Sequence, residues 1–90
     1  MIEANFRITY PYGLHARPAT MLVSTASSFA SKMIMEYKDT RVTMKSIMGV
    51  LSLAVPANVN FKVTFDGDDE GEAFQAIEKI VADINKLPVK

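Results

Sequence analysis

The chain has 90 residues, 49% of them apolar, with ten basic and ten acidic side chains, one histidine and no cysteine. That is enough for one domain burying roughly 60–65% of its unfolded surface, with little room for a deep active-site cavity. The charge balance argues against nucleic acid as a direct partner, and the residue counts remove disulfides and the usual zinc ligand sets, so neither a metal nor a cofactor is expected.

The start, Met1-Ile2-Glu3-Ala4-Asn5-Phe6, lacks the basic and apolar run of a signal peptide. No apolar stretch approaches the ~20 residues that span a bilayer, so a cytoplasmic chain without membrane insertion is expected. Phe6-Arg7-Ile8-Thr9-Tyr10 alternates and, with Ile2, predicts a first strand. Pro11 cannot continue a ladder and Gly13 marks a turn. The spacing then predicts a helix from about Ala16 to Ser28, with Ala19, Leu22, Val23, Ala26 and Phe29 on one buried stripe.

The mouth of that helix, Gly13-Leu14-His15-Ala16-Arg17-Pro18-Ala19, holds the densest chemistry in the chain. A helix N-terminus offers unpaired backbone N–H groups and the positive end of the macrodipole. Pro18 loses nothing in a first turn, and Gly13 permits a tight approach. Arg17 supplies a permanent planar charge suited to phosphate oxygens. Histidine is the side chain best able to act as a nucleophile near neutral pH. Taken alone, a histidine before a helix is an exposed polar residue or a cap. In this company, His15 reads as a phosphoryl acceptor.

Met33 to Tyr37 predicts a second strand, Lys38-Asp39-Thr40 a turn and Arg41 to Met44 a third. Ser46 reads as the N-cap of a short helix, Ile47 to Leu53, with Ile47, Val50, Leu51 and Ala54 at inward spacing. Val59 to Phe65 alternates as a half-buried strand after the loop Pro56-Ala57-Asn58. Asp66-Gly67-Asp68 turns the chain. Asp69 and Glu72 form a capping pair for a last helix whose inner face is Ala73, Ile77, Ile80, Val81 and Ile84. Leu87-Pro88 stops it. The order β-α-β-β-α-β-α gives an α+β, two-layer fold: four strands with helices on one side only. Met33 and Met35 read as core filler. Met21 and Met48 lie off the inner stripes of their helices and suit an adaptable docking surface.

Two segments together carry a resemblance. Gly13-Leu14-His15-Ala16-Arg17-Pro18-Ala19-Thr20 is similar to the phosphorylation-site signature of the HPr family, the histidine-containing phosphocarriers of the bacterial sugar phosphotransferase system. Lys45-Ser46-Ile47-Met48-Gly49 is similar to the regulatory serine signature of its Gram-positive branch. The resemblance covers nearly the whole chain. It implies a single domain over residues 1–90, an open-faced sandwich of four antiparallel strands under three helices. It implies a carrier rather than an enzyme: enzyme I charges His15 from phosphoenolpyruvate, Arg17 stabilises the phosphoryl group, and His15 passes it to sugar-specific IIA domains. It also implies that an HPr kinase/phosphorylase acts on Ser46. The serine-phosphorylated form would then be a poor substrate for enzyme I and a corepressor for catabolite control protein. Thr20, Met21, Ile47, Met48 and Leu51 are the expected partner-binding residues, and a monomer is expected because that face must stay open.

Ser46 also has a simpler reading, since a serine before a helix is a cap worth about 1 kcal/mol. Three loops depart from the family pattern. Lys38-Asp39-Thr40-Arg41 replaces a glycine-bearing turn, Ala54 stands where glycine is common, and Pro56-Ala57-Asn58 replaces a loop that usually carries glycine. A regulatory paralogue of the Crh type, acting mainly through Ser46, is the alternative; that class lacks the active histidine, which this chain keeps.

Overall fold

A computed structural model describes residues 1–89. The elements are β1 (Ile2–Arg7), α1 (Ala16–Ala26), β2 (Lys32–Tyr37), β3 (Thr40–Thr43), α2 (Ile47–Leu53), β4 (Asn60–Asp66) and α3 (Glu70–Ile84). The four strands form one antiparallel sheet in the order β1-β4-β2-β3. The predicted architecture is therefore present, with four antiparallel strands and three helices in the expected order.

Alternation builds the core. Phe6 pairs with Phe61 and Ala4 with Val63 across β1 and β4, while Met33 pairs with Phe65 and Met35 with Val63 across β2 and β4. Phe6, Met33, Met35, Phe61, Val63 and Phe65 all point into the helix layer and are buried, so Met33 and Met35 are core residues as expected. Phe6, Phe61 and Phe65 gather in ring contact with each other or with Phe74 of α3, at centroid separations of 5.7 to 6.4 Å. The opposite face is polar: Lys62 and Arg41 both approach the Glu36 carboxylate, at 3.6 and 3.8 Å.

Apart from one-residue shifts at the ends of β2, β3 and β4, the structure differs from the sequence expectations in four places. First, β1 ends at Arg7 rather than continuing to Tyr10. The Asn85 side chain takes the place of a strand neighbour there, accepting from the Thr9 N–H at 2.8 Å and donating to the Arg7 carbonyl at 3.1 Å. Second, α1 stops at Ala26, two residues early. Third, the Asp69–Glu72 capping pair does not form. Asp69 is the N-cap of α3 but turns its carboxylate away, accepting from the Ala30 and Ser31 N–H groups at 2.9 Å and from the Ser31 hydroxyl. Fourth, the buried positions of α2 are Val50 and Leu53; Ile47 and Ala54 are exposed and Leu51 is half-buried.

Candidate functional site

His15 is the N-cap of α1, with extended backbone (φ −89°, ψ −168°), and its side chain makes no capping hydrogen bond. The first intrahelical bond runs from the Ala19 N–H to the His15 carbonyl at 2.9 Å. The Ala16 and Arg17 amides therefore lie ahead of the helical ladder, and Pro18 at the third position has no N–H to leave unpaired. No acidic residue occupies the first turn. The positive end of the helix dipole is thus uncompensated beside an exposed imidazole. Arg17 is exposed too, and among the described residues no carboxylate lies within ion-pair distance of it. Its guanidinium is thus available to meet an anion at the helix mouth.

The loop that presents His15 is held by the segment after α2. Gly13 has φ +65°, and its N–H donates to the Tyr10 carbonyl at 2.8 Å. The Leu14 N–H donates to the Val55 carbonyl at 2.9 Å, and Leu14 itself is buried. The close approach that Gly13 allows is therefore to Val55 and Pro56, not only to its own helix. Pro18 is buried beneath the first turn of α1. No local pattern signals Val55 as a tether, because the contact joins segments about forty residues apart.

Ser46 caps α2. Its Oγ accepts from the Gly49 N–H at 3.1 Å, and the Val50 N–H donates to its carbonyl at 3.0 Å. Its neighbour Lys45 donates from Nζ to the Phe29 carbonyl at 2.6 Å, placing a cation just past the end of α1. Helix α1 packs against α2. Ser46 and the tether at Val55 lie at opposite ends of α2, which is about 10 Å long.

Of the expected docking residues, Met48 is 74% exposed and Ile47 38%. Thr20 is exposed and donates from its hydroxyl to the Ala16 carbonyl at 2.8 Å, while Met21 and Leu51 are half-buried against the core. These residues sit on the two adjacent helices α1 and α2. Shallow concavities of about 120 and 260 Å³ lie elsewhere, on the open face of the sheet around Lys32, Ile34 and Arg41. Tyr12, in the loop before His15, is exposed and was not singled out by its sequence context.

The fold and site together define a class of small α+β proteins in which a half-covered sheet displays an exposed histidine at a helix mouth. The family model described as "PTS HPr component phosphorylation site" matches residues 2–83. The chain belongs to the HPr family, whose members are phosphocarriers and not enzymes in themselves. It is 38% identical to HPr-C-His from Thermoanaerobacter tengcongensis, covering 99% of this chain and 100% of that one with a TM-score of 0.92. It is 32% identical to the histidine-containing phosphocarrier protein of Mycoplasma, over 98% and 100% of the two chains, TM-score 0.89. It is also 34% identical to Crh of Bacillus subtilis, a catabolite repression protein described as a swapped-domain dimer, over 92% and 95%, TM-score 0.72. Among the described residues no helix is long and apolar enough to cross a membrane.

Proposed function

We propose that this chain accepts a phosphoryl group on His15 from enzyme I and passes it to sugar-specific IIA domains, working in the cytoplasm as a monomer. The observation that carries this reading is the uncommitted His15 side chain at the start of α1, beside the Ala16 and Arg17 amides and the unpaired Arg17 guanidinium. A phosphoryl group on the ring would meet the helix dipole and one mobile cation, which hold charge without burying it. In each transfer one P–N bond breaks as another forms, and the donor nitrogen keeps the electron pair. The exchange between histidines is close to thermoneutral, so a weak, open cradle suits it better than a closed pocket.

The reading is tested by transfer from phosphoenolpyruvate through purified enzyme I, followed by intact mass and acid lability. An acid-labile phosphate on the wild type that disappears in His15→Ala supports it; normal acceptance by His15→Ala rejects it. Arg17→Ala should slow the transfer without abolishing it.

Ser46 is proposed as the target of an HPr kinase/phosphorylase, the phosphorylated chain serving catabolite control protein. The charge would be added at the α2 N-terminus, next to the exposed Ile47 and Met48 and about one short helix away from the His15 tether. It would then act on how partners dock over α2, not on the imidazole itself. Ser46→Asp should accordingly weaken acceptance from enzyme I; an unchanged rate argues against docking as the route. The similarity to Crh supports a second reading, in which Ser46 alone is used. Acid-stable phosphate from an ATP-dependent kinase, with no labile phosphate from enzyme I, would select it.

A further inference from the structure

We propose that Met48 is a reversible oxidation site, where one oxygen added to the sulfur by a peroxide loosens the docking of partner proteins over α2 and leaves the fold intact. The effect on docking rests on the reading that His15 exchanges a phosphoryl group with partners that cover α1 and α2. The choice of residue rests on burial and chemistry alone.

The chain has no cysteine, so its six methionine thioethers are the only sulfur a peroxide can meet. Met33, Met35 and Met44 are 0% exposed and lie in the core, and Met21 is half-buried against it. Met1 and Met48 are each 74% exposed. Met48 differs from Met1 in its place: it is the second residue of α2, two positions after Ser46 and beside the exposed Ile47. Helix α2 is seated by Val50 and Leu53 and capped by the Ser46 hydroxyl on the Gly49 N–H, and Met48 takes part in neither. An oxygen on its sulfur therefore enters solvent and displaces no packed atom. The same oxygen on Met33, Met35 or Met44 would put a polar atom into the core.

In the step itself a sulfur lone pair attacks the outer oxygen of a hydroperoxide. The S–O bond forms as the O–O bond breaks, and the proton of the attacked oxygen passes to the departing one, which leaves as water or an alcohol. Sulfur is oxidised by two electrons and the peroxide is reduced by two. A dithiol-driven reductase reverses the change, giving back the thioether with a disulfide and water. The sulfoxide turns a flexible apolar side chain into a polar one with an exposed acceptor oxygen. A partner that covers α2 must strip water from that oxygen, which costs affinity where no donor replaces the water. No net charge is added. The effect therefore differs in kind from phosphate at Ser46 and persists at high salt.

The experiment treats the purified chain with limiting hydrogen peroxide and locates the added oxygen by peptide mass mapping. Met48 and Met1 should take it up well before Met21, with Met33, Met35 and Met44 protected until the chain is unfolded. Once the peroxide is removed, initial rates of transfer from phosphorylated enzyme I are compared with those before treatment. The comparison is made in the wild type and in Met48→Leu, which keeps an apolar side chain of similar size without the sulfur. The expected result is a rise in KM of about fivefold at unchanged kcat in the treated wild type, with an unaltered melting curve. Methionine sulfoxide reductase with dithiothreitol brings KM back. In Met48→Leu the treatment leaves KM where it was, which removes Met1 as the cause. Equal responses in the two proteins overturn the inference and leave the carrier reading standing. So does a map in which Met48 is no more reactive than the core methionines. A wild type that accepts no acid-labile phosphate removes the carrier reading and the docking effect together, while the map still decides whether Met48 is the oxidation site.

Discussion

A Cβ at Gly13 would stand 2.5 Å from the Val55 carbonyl oxygen and 2.9 Å from Pro56 backbone atoms, none of which can swing aside as a side-chain tip could. The residue also sits at φ +65°, where an L side chain is strained. Both penalties fall on the loop that presents His15. Gly13→Ala should therefore cost about 2–4 kcal/mol of stability, measurable by urea unfolding. It should also slow phosphoryl acceptance, because the Leu14 to Val55 bond fixes where the α1 N-terminus points. A loss of stability with no change in acceptance would mean that the loop finds its place without Val55. Arg17 is the opposite case. It touches little, and its removal should leave stability nearly untouched while slowing transfer.

At the scale of elements, the loops that depart from the family pattern keep the geometry that glycine normally supplies. The β2–β3 hairpin turns through Lys38 and Asp39, with φ +49° and +63°, between the paired residues Tyr37 and Thr40. A two-residue turn with two positive φ values favours Asn-Gly or Asp-Gly, and here neither central residue is glycine. Ala54 closes α2 in the left-handed region, φ +50° and ψ +45°. Because Ala54 is exposed, Ala54→Gly should relieve strain without losing packing, stabilising by roughly 0.5–1 kcal/mol and raising Tm by about 3–6 °C. The reverse exchange is expected to help at Gly71 in α3, where an added Cβ meets nothing within 4 Å. A melting curve that falls in Ala54→Gly would refute the strain argument.

The same elements show what could be read from the chain. Period-two alternation at Phe61, Val63 and Phe65 and helical spacing at Ala73, Ile77 and Ile84 are local signals, and they predict the elements and their buried faces. The Ser46 cap was legible because its partner, Gly49, is three residues away. The end of β1 was not, since Asn85 decides it from 76 and 78 residues away. Nor was the fate of Asp69, whose partners Ala30 and Ser31 are 39 and 38 residues distant. In α2 the helical period suits Ile47 and Val50 equally, and only the position of the sheet buries one and exposes the other. His15, Arg17 and Ser46 were conspicuous as motifs, whereas Val55 matters through its bond to Leu14, which no local pattern reveals.

Over the whole molecule, Asp69 ties the start of α3 to the segment between α1 and β2. The Ser31 hydroxyl, and next the Ala30 N–H, hold its carboxyl below the ordinary value of 3.8. A carboxyl with a depressed folded pKa contributes stability that is fully present above its unfolded value and lost as the pH falls through its folded value. Stability should therefore be flat in this respect from neutral pH down to about pH 4–5 and decline below it. In Asp69→Asn the acid slope should be shallower and the neutral-pH stability lower. Chemical denaturation across pH 2 to 7 would check both, and an unchanged acid slope would show that Asp69 is not the group responsible.

The clasp at Asn85 sets a timetable as well as a shape. It grips Arg7 and Thr9, the residues that lead directly into the His15 loop, from near the other end of the described chain. A chain growing in the N-to-C direction makes the His15 motif well before this fastening, which must wait for α3 to be completed. During synthesis the motif is thus exposed on an unfinished support, and the full presentation of His15 awaits the emergence of Asn85.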